Sequence, residues 1–278
     1  MTKPELDALN RAAAQIRLDV VNMIGPDNRG HFGGSMSSAD IIATLYFHVM
    51  NIDGARKDDP DRDRFILSKG HSCPAQYAAL ARKGFFPAEE LRTLKNVGSR
   101  LQGHPDHAKL PGIEANTGSL GQGLSQGVGM ALALKADGRP STVYVVLGDG
   151  ELNEGQVWEA VMFAGARKLD NLIAVVDRNR LQAMGFNQDR LNYGDPGEKF
   201  AAFGWEVLRA DGHNMESLAE AFAAAKKMDR PVVIVAETIK GKAIQCAENQ
   251  IGFHNGMLTR PQYDEAVACL TSMIGGEQ

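Results

Sequence analysis

The sequence predicts an α/β fold, a mostly parallel central sheet with helices on both faces. Short apolar segments alternate with stretches of helical periodicity along almost the whole chain. Those apolar segments (RFILS, TVYVVL, NLIAVVD, PVVIVAETI) do not alternate with polar residues, which marks strands covered on both sides. Glycines and polar groups crowd the points where these segments end.

Residues 5–24 repeat apolar positions at spacings of three and four, an amphipathic helix closed by Gly25-Pro26. The glycine-rich GHFGGS precedes a second helix over 38–50 (SADIIATLYFHVM). A strand over 64–68 is followed by a helix over 75–84, and GSLGQG opens a helix over 124–136. Strand 142–147, helix 153–169 and strand 171–177 come next. Strand 205–212, helix 215–228 and strand 231–239 complete the series. There is no internal repeat, low-complexity tract or linker, so residues 1–278 are expected to form one domain.

Composition narrows the function. With 278 residues, 44% apolar content and a net charge of -4, the chain buries a sizeable core and offers no basic face for nucleic acid. Cys73, Cys246 and Cys269 are widely spaced without a CxxC pair, which fits a reducing cytosol and neither a disulfide scaffold nor a zinc site. No signal-peptide pattern or membrane-length apolar run is present, so a soluble cytoplasmic protein is expected.

In such sheets ligands gather at the carboxyl ends of the strands. The residues there are Ser68-Lys69-Gly70-His71, Gly148-Asp149-Gly150, Asp177-Arg178-Asn179, Asp211-Gly212-His213 and Thr238-Ile239-Lys240-Gly241-Lys242. Asp149 stands where a strand stops and a helix begins, between two glycines that let the backbone approach a diphosphate. Alone, Gly-Asp-Gly is most economically a turn. Asn179, one βα unit later, makes it half of an oxygen-ligand pair suited to magnesium.

This pairing resembles the diphosphate-binding signature of thiamine diphosphate enzymes, and GDGELNEGQVWEA…VVDRNRLQ resembles the transketolase branch. The resemblance implies a thiamine diphosphate-binding fold in which Asp149, Asn179 and the Leu181 carbonyl hold Mg2+, or Ca2+ or Mn2+ in its place. Gly150 would lie against the diphosphate, and Glu154 and Glu159 would lie near a subunit interface coupling paired cofactor sites. RGHFGGSMSSADI is similar to the family's SGHPG segment and makes His31 a substrate contact. DRFILSKGHSCPAQYAAL implies that His71 meets cofactor and substrate, and LQGHPDH supplies His104. GSLGQGLSQGVGMALA resembles the loop that lines the aminopyrimidine, with Gly118, Ser119 and Leu120 as contacts. KGKAIQCAENQIGFHNG places His254 where the family reaches diphosphate and substrate. These blocks run in order from about residue 15 to 258. Phe32 and Ser119 stand where the family usually has proline, and Phe32 is expected to alter the channel beside His31.

Each assignment has a plainer competitor. Of seven histidines, His48 is expected in the core, His107 in a solvated loop and His213 in a turn or helix cap. His31, His71, His104 and His254 sit beside glycines at loop or strand ends, positions suited to binding sugar hydroxyls or shuttling protons. Gly123 and Gly127 read as close helix packing, while Lys240 and Lys242 suit a phosphate contact and a solvated position equally and stay outside the catalytic set.

The resemblance covers only the diphosphate module of a two-module chemistry. It implies a second polypeptide carrying the pyrimidine-binding module, in a heterotetramer of two copies of each chain (α2β2). The implied reaction is transfer of a two-carbon ketol unit from a ketose phosphate to an aldose. Other readings stay open: a component resembling deoxyxylulose-phosphate synthase or a 2-oxo acid dehydrogenase, a transketolase for apulose 4-phosphate or sulfofructose, or a non-catalytic scaffold.

Overall fold

The computed structural model describes residues 1–275. Five strands form one parallel sheet: β1 (Arg64–Leu67), β2 (Val143–Gly148), β3 (Leu172–Arg178), β4 (Glu206–Asp211) and β5 (Val232–Glu237). Their order across the sheet is β1-β2-β3-β5-β4. Around them lie α1 (Lys3–Ile24), α2 (Phe32–Ser37), α3 (Ala39–Thr44), α4 (Cys73–Arg82), α5 (Gln122–Ala136), α6 (Gly155–Arg167), α7 (Pro196–Ala202), α8 (Met215–Ala225) and α9 (Arg260–Gly275).

The apolar strands divide their side chains between two cores. Phe65, Tyr144, Val146, Ile173, Val175 and Ile234 face one cluster, which contains residues of α1, α3, α4 and α8. Ile66, Val145, Leu147, Ala174, Val176 and Val235 face the other, beneath α5 and α6. Helices therefore cover both faces, as the continuous apolar runs require. The exception is β4, an edge strand that is only partly buried.

Gly123 and Gly127 set how closely α5 approaches the sheet. A Cβ on Gly123 would lie 2.5 Å from Ser68 Oγ, and one on Gly127 2.5 Å from Val145 Cγ2. Close packing explains both glycines.

Three local expectations need correction. The glycine-rich segment before the second helix is itself helical from Phe32 to Ser37. Tertiary packing overrides propensity there, since a Cβ on Gly33 would strike the Lys240 side chain at 2.8 Å and one on Gly34 would strike Ser72 Oγ at 2.5 Å. The helix expected over 38–50 is α3 followed by a π-helical turn, Leu45–Val49. The wider turn shifts the phase of the residues after Thr44, and His48 is exposed rather than in the core. Phe32 is fully buried within the α1 and α3 cluster, so it packs the core and does not line a channel.

Candidate active site

Parallel pairing sets the strand ends side by side. Gly148 lies opposite Asp177, and Arg178 opposite Glu237. Asp149 is thereby brought next to the turn that carries Asn179. Its carboxylate is 2% exposed, with Oδ1 accepting the Gly150 N–H at 2.8 Å and Oδ2 accepting the Arg180 N–H. Tyr193 Oη donates to the Asp149 carbonyl at 2.9 Å. Burial and the neighbouring Asp177 push the Asp149 carboxyl up to about 6. Asn179 Oδ1 accepts the Leu181 N–H at 3.1 Å. Between them Arg180 takes a positive φ of 64°, a tight turn from which Asn179 and Leu181 both line the same cavity.

Asp149, Gly150, Asn179 and Leu181 line one cavity of about 180 Å3 together with Leu120, His71, His254, Lys69 and Lys240. The donor set suits a hard cation beside a diphosphate: one carboxylate, one side-chain amide and one carbonyl, all oxygen. Among the described residues no group of three His, Cys, Asp or Glu side chains forms a metal cluster. A cation held by this mixed oxygen set would have room for further oxygen ligands from a bound diphosphate. Gln182 lines the same cavity, and its amide nitrogen is buried without a protein partner. A Cβ on Gly150 would come 2.8 Å from Gln182 Cγ, so glycine is required for the backbone and this side chain to share the space. The residues present fit thiamine diphosphate with a divalent ion.

The four histidines singled out in the sequence converge. Ring centroids of His31 lie 5.2 Å from His71, 5.7 Å from His254 and 6.4 Å from His104, and His71 lies 5.0 Å from His254. Burial, and then Lys95, lower His31 to about 4. Burial, and then Lys240, lower His254 to about 3. His71 is lowered by burial and Lys69, and His104 by burial and Lys95. All four are therefore neutral at pH 7, each with one N–H donor and one acceptor. Lys240 Nζ lies 2.9 Å from His254 Nδ1. An ammonium only donates, so Nδ1 accepts and the His254 proton sits on Nε2.

Imidazoles lowered on folding are protonated more readily in the unfolded chain. Their contribution is complete above the ordinary value of 6.5 and is lost as pH falls toward 4. Asp149, raised on folding, acts in the opposite direction over the acid range. With four imidazoles against it, the urea midpoint of the cofactor-free chain is expected to fall between pH 7.5 and 5. His31→Gln should flatten that fall; an equally steep fall in the variant would contradict the assignment.

The most consequential groups that sequence reasoning passed over are lysines. Lys240, for which the sequence leaves solvent and phosphate equally open, is 2% exposed and donates to the Leu181 carbonyl as well as to His254. A carbonyl has two lone pairs, so this bond leaves one free for a cation. Burial, and then Lys69, lower Lys240 to about 8. Lys242 keeps the solvated reading, half-exposed near Glu248 at 3.9 Å. Lys69 is buried against Asp177 and donates to the Gly34 carbonyl at 2.9 Å. Glu151, also unassigned in the sequence, is buried, accepts the Gly121 N–H at 2.9 Å and the Gly148 N–H at 3.0 Å, and is bound by Ser68 Oγ. It ties GSLGQG to two strand ends.

The remaining expected contacts are less central. Gly118 lies against His104, 2.8 Å from a would-be Cβ to Cδ2, while Ser119 is exposed. Glu154 and Glu159 are exposed at the start of α6 and do not line the cavity. His107 is exposed in a loop, as expected.

The family described as transketolase, thiamine diphosphate binding domain, matches residues 8–271. The chain belongs to the transketolase family. This transketolase-family chain is 46% identical to the 6-deoxy-6-sulfo-D-fructose transketolase subunit SqwG of Clostridium sp. (strain MSTE9), across 96% of the chain and 98% of that relative. It is 39% identical to an apulose-4-phosphate transketolase subunit of Phocaeicola vulgatus, across 97% and 96%. Against transketolase of Mus musculus the identity is 38% over 97% of the chain but 43% of that protein. The solved transketolase from Leishmania mexicana superposes with a TM-score of 0.87 at 31% identity, covering 97% of this chain and 41% of its own. The similarity therefore spans the two relatives named as subunits almost completely, and less than half of the longer transketolases. Among the described residues no helix is long and apolar enough to cross a membrane.

Proposed function

We propose that this chain is the diphosphate-binding subunit of a split transketolase, moving a two-carbon ketol unit from an anionic ketose to an aldose. The single observation that carries the reading is the oxygen set of Asp149, Asn179 and Leu181 sharing one cavity with His71 and His254. Near-complete coverage of relatives named as subunits supports the split arrangement.

In this reading Asp149, Asn179 and the Leu181 carbonyl hold Mg2+, a site that Ca2+ or Mn2+ also suits. Gly150 lies against the diphosphate, and Gly118, Ser119 and Leu120 line the aminopyrimidine. When bound, thiamine diphosphate supplies a carbon nucleophile and an electron sink for cleaving and forming a carbon–carbon bond. The chain's own part is positioning. His254 offers its Nε2–H, and neutral His31, His71 and His104 offer donors and acceptors to sugar hydroxyls and hold protons there. A partner chain carrying the pyrimidine module completes each site in an α2β2 heterotetramer in the cytoplasm. Glu154 and Glu159 face that assembly from α6. For the donor, a ketose ending in a sulfonate is favoured over a phosphate by the 46% identity to the sulfofructose relative.

The test is reconstitution with a pyrimidine-module chain, thiamine diphosphate and Mg2+. Sulfofructose, apulose 4-phosphate, xylulose 5-phosphate and pyruvate are compared as donors. Two-carbon transfer from a ketose, only with both chains present, is the expected result. Full activity of this chain alone would contradict the split arrangement, and turnover of pyruvate in place of ketoses would favour a synthase or dehydrogenase component.

A further inference from the structure

The turn after β4 carries His213, whose ring occupies more than a turn requires. It is 13% exposed and borders a cleft of about 1000 Å3 that also touches Arg178, Glu237, Thr238 and Ile239. Both ring nitrogens are engaged. Nδ1 lies 2.6 Å from Asp40 Oδ2, and Nε2 accepts the Ile239 N–H at 2.8 Å. A backbone amide only donates, so Nε2 presents its lone pair and the proton sits on Nδ1, directed at Asp40. Asp40 is in turn gripped by Arg17, whose Nη1 reaches Oδ1 at 3.0 Å and whose Nη2 binds Oδ2 and also the Met36 carbonyl at 3.1 Å.

An aspartate orienting a histidine is the arrangement that activates a nucleophile in many enzymes. Here the outer nitrogen is spent on an amide and has no free lone pair to take a proton from substrate. The chain Arg17–Asp40–His213 therefore ends on backbone, one residue before Lys240. Ile239 lies beyond β5, which stops at Glu237, so the sheet ladder does not hold it. Thr238 on one side bonds Asp177, and Lys240 on the other bonds His254 and the Leu181 carbonyl.

We infer that His213 is a positioning residue: it fixes segment 238–240, and with it the Lys240 ammonium against His254 and the Leu181 carbonyl. The meaning of Lys240 as a cofactor-site residue rests on the function proposed above, while its fixation by His213 does not.

Two variants separate the halves of the imidazole. In His213→Asn the side-chain amide keeps a donor near Asp40 but is too short to reach Ile239. In His213→Gln the side-chain oxygen reaches the place of Nε2. Hydrogen exchange on the chain alone and calorimetric titration of the two-chain complex with thiamine diphosphate and Mg2+ read the outcome. His213→Asn is expected to speed exchange in 238–242 by about tenfold or more while the strands stay protected. It should also weaken cofactor binding by about fivefold or more, the scale of one lost hydrogen bond. His213→Gln should restore both to within about twofold, because its oxygen replaces the lost acceptor. Unchanged protection in His213→Asn would overturn the inference. So would loosened exchange with unchanged cofactor affinity, or loss of protection throughout the sheet in both variants. A wild-type complex that binds no cofactor contradicts the function proposed above, and the exchange comparison still decides whether His213 fixes the segment.

Discussion

Asp149→Asn is expected to abolish binding of thiamine diphosphate with Mg2+ and to leave the chain folded. The carboxylate is the only anionic member of the Asp149, Asn179 and Leu181 set, so its loss removes the charge that holds the ion. Stability behaves differently. Folding raises the Asp149 carboxyl from 3.8 to about 6, so the neutral form is favoured in the folded chain and ionisation costs stability as pH rises through 6. At pH 7 that cost is on the order of 3 kcal/mol, and asparagine removes it. Against this, the asparagine amide faces either the Gly150 or the Arg180 N–H and leaves it without an acceptor, at about 1–3 kcal/mol. The two effects nearly cancel. The variant should melt within a few degrees of the wild type without cofactor, but lack the roughly 2.7 kcal/mol that ligand at a hundred times its dissociation constant gives the wild type. Two-carbon transfer by the reconstituted pair should fall at least about a hundredfold. A variant that keeps activity would contradict the metal assignment, and a loss of folding would mean that Asp149 is structural.

Lys69→Met has the largest expected effect on stability. Lys69 is 1% exposed and its partner Asp177 is fully buried. Against the penalty of burial, the Lys69 ammonium holds the Asp177 carboxyl below the usual carboxylate range, helped by Ser37 and Thr238. Removing the ammonium leaves a buried charge with only hydroxyl and amide donors, which costs about 3–5 kcal/mol. For a chain of this size the melting temperature should drop by on the order of 10 °C. Adding Asp177→Asn to Lys69→Met should recover a good part, because the stranded charge is gone. Thermal melts of the two singles and the double decide it. A single variant as stable as the wild type would show that the pair is not the anchor of this strand end.

Residue chemistry made some of the architecture readable in advance and hid the rest. β2, β3 and β5 are unbroken apolar runs that demand cover on both faces, so strand positions follow from the sequence. The placement of β5 between β3 and β4 does not, since no local signal encodes which strand pairs with which. α9 left little trace because only Ala266 and Leu270 of its residues are buried, too few to mark a period. Glycine neighbours pointed to His31, His71, His104 and His254, and the four rings do meet. The burial of Lys69 and Lys240 was hidden for a physical reason: lysine is solvated by default, and only folding reveals the carboxylate and carbonyls that permit burial. His213 was similarly opaque. Its turn is written in DGHN, but its partners Asp40 and Ile239 lie 173 and 26 residues away.

The most direct measurement is calorimetric titration of the two-chain complex with thiamine diphosphate, with Mg2+ present and again with the ion chelated. One saturable site per copy of this chain, lost on chelation and lost in Asp149→Asn, is the expected result. Binding that is indifferent to the metal and to Asp149, or no binding at all, would contradict the oxygen clamp at the strand ends.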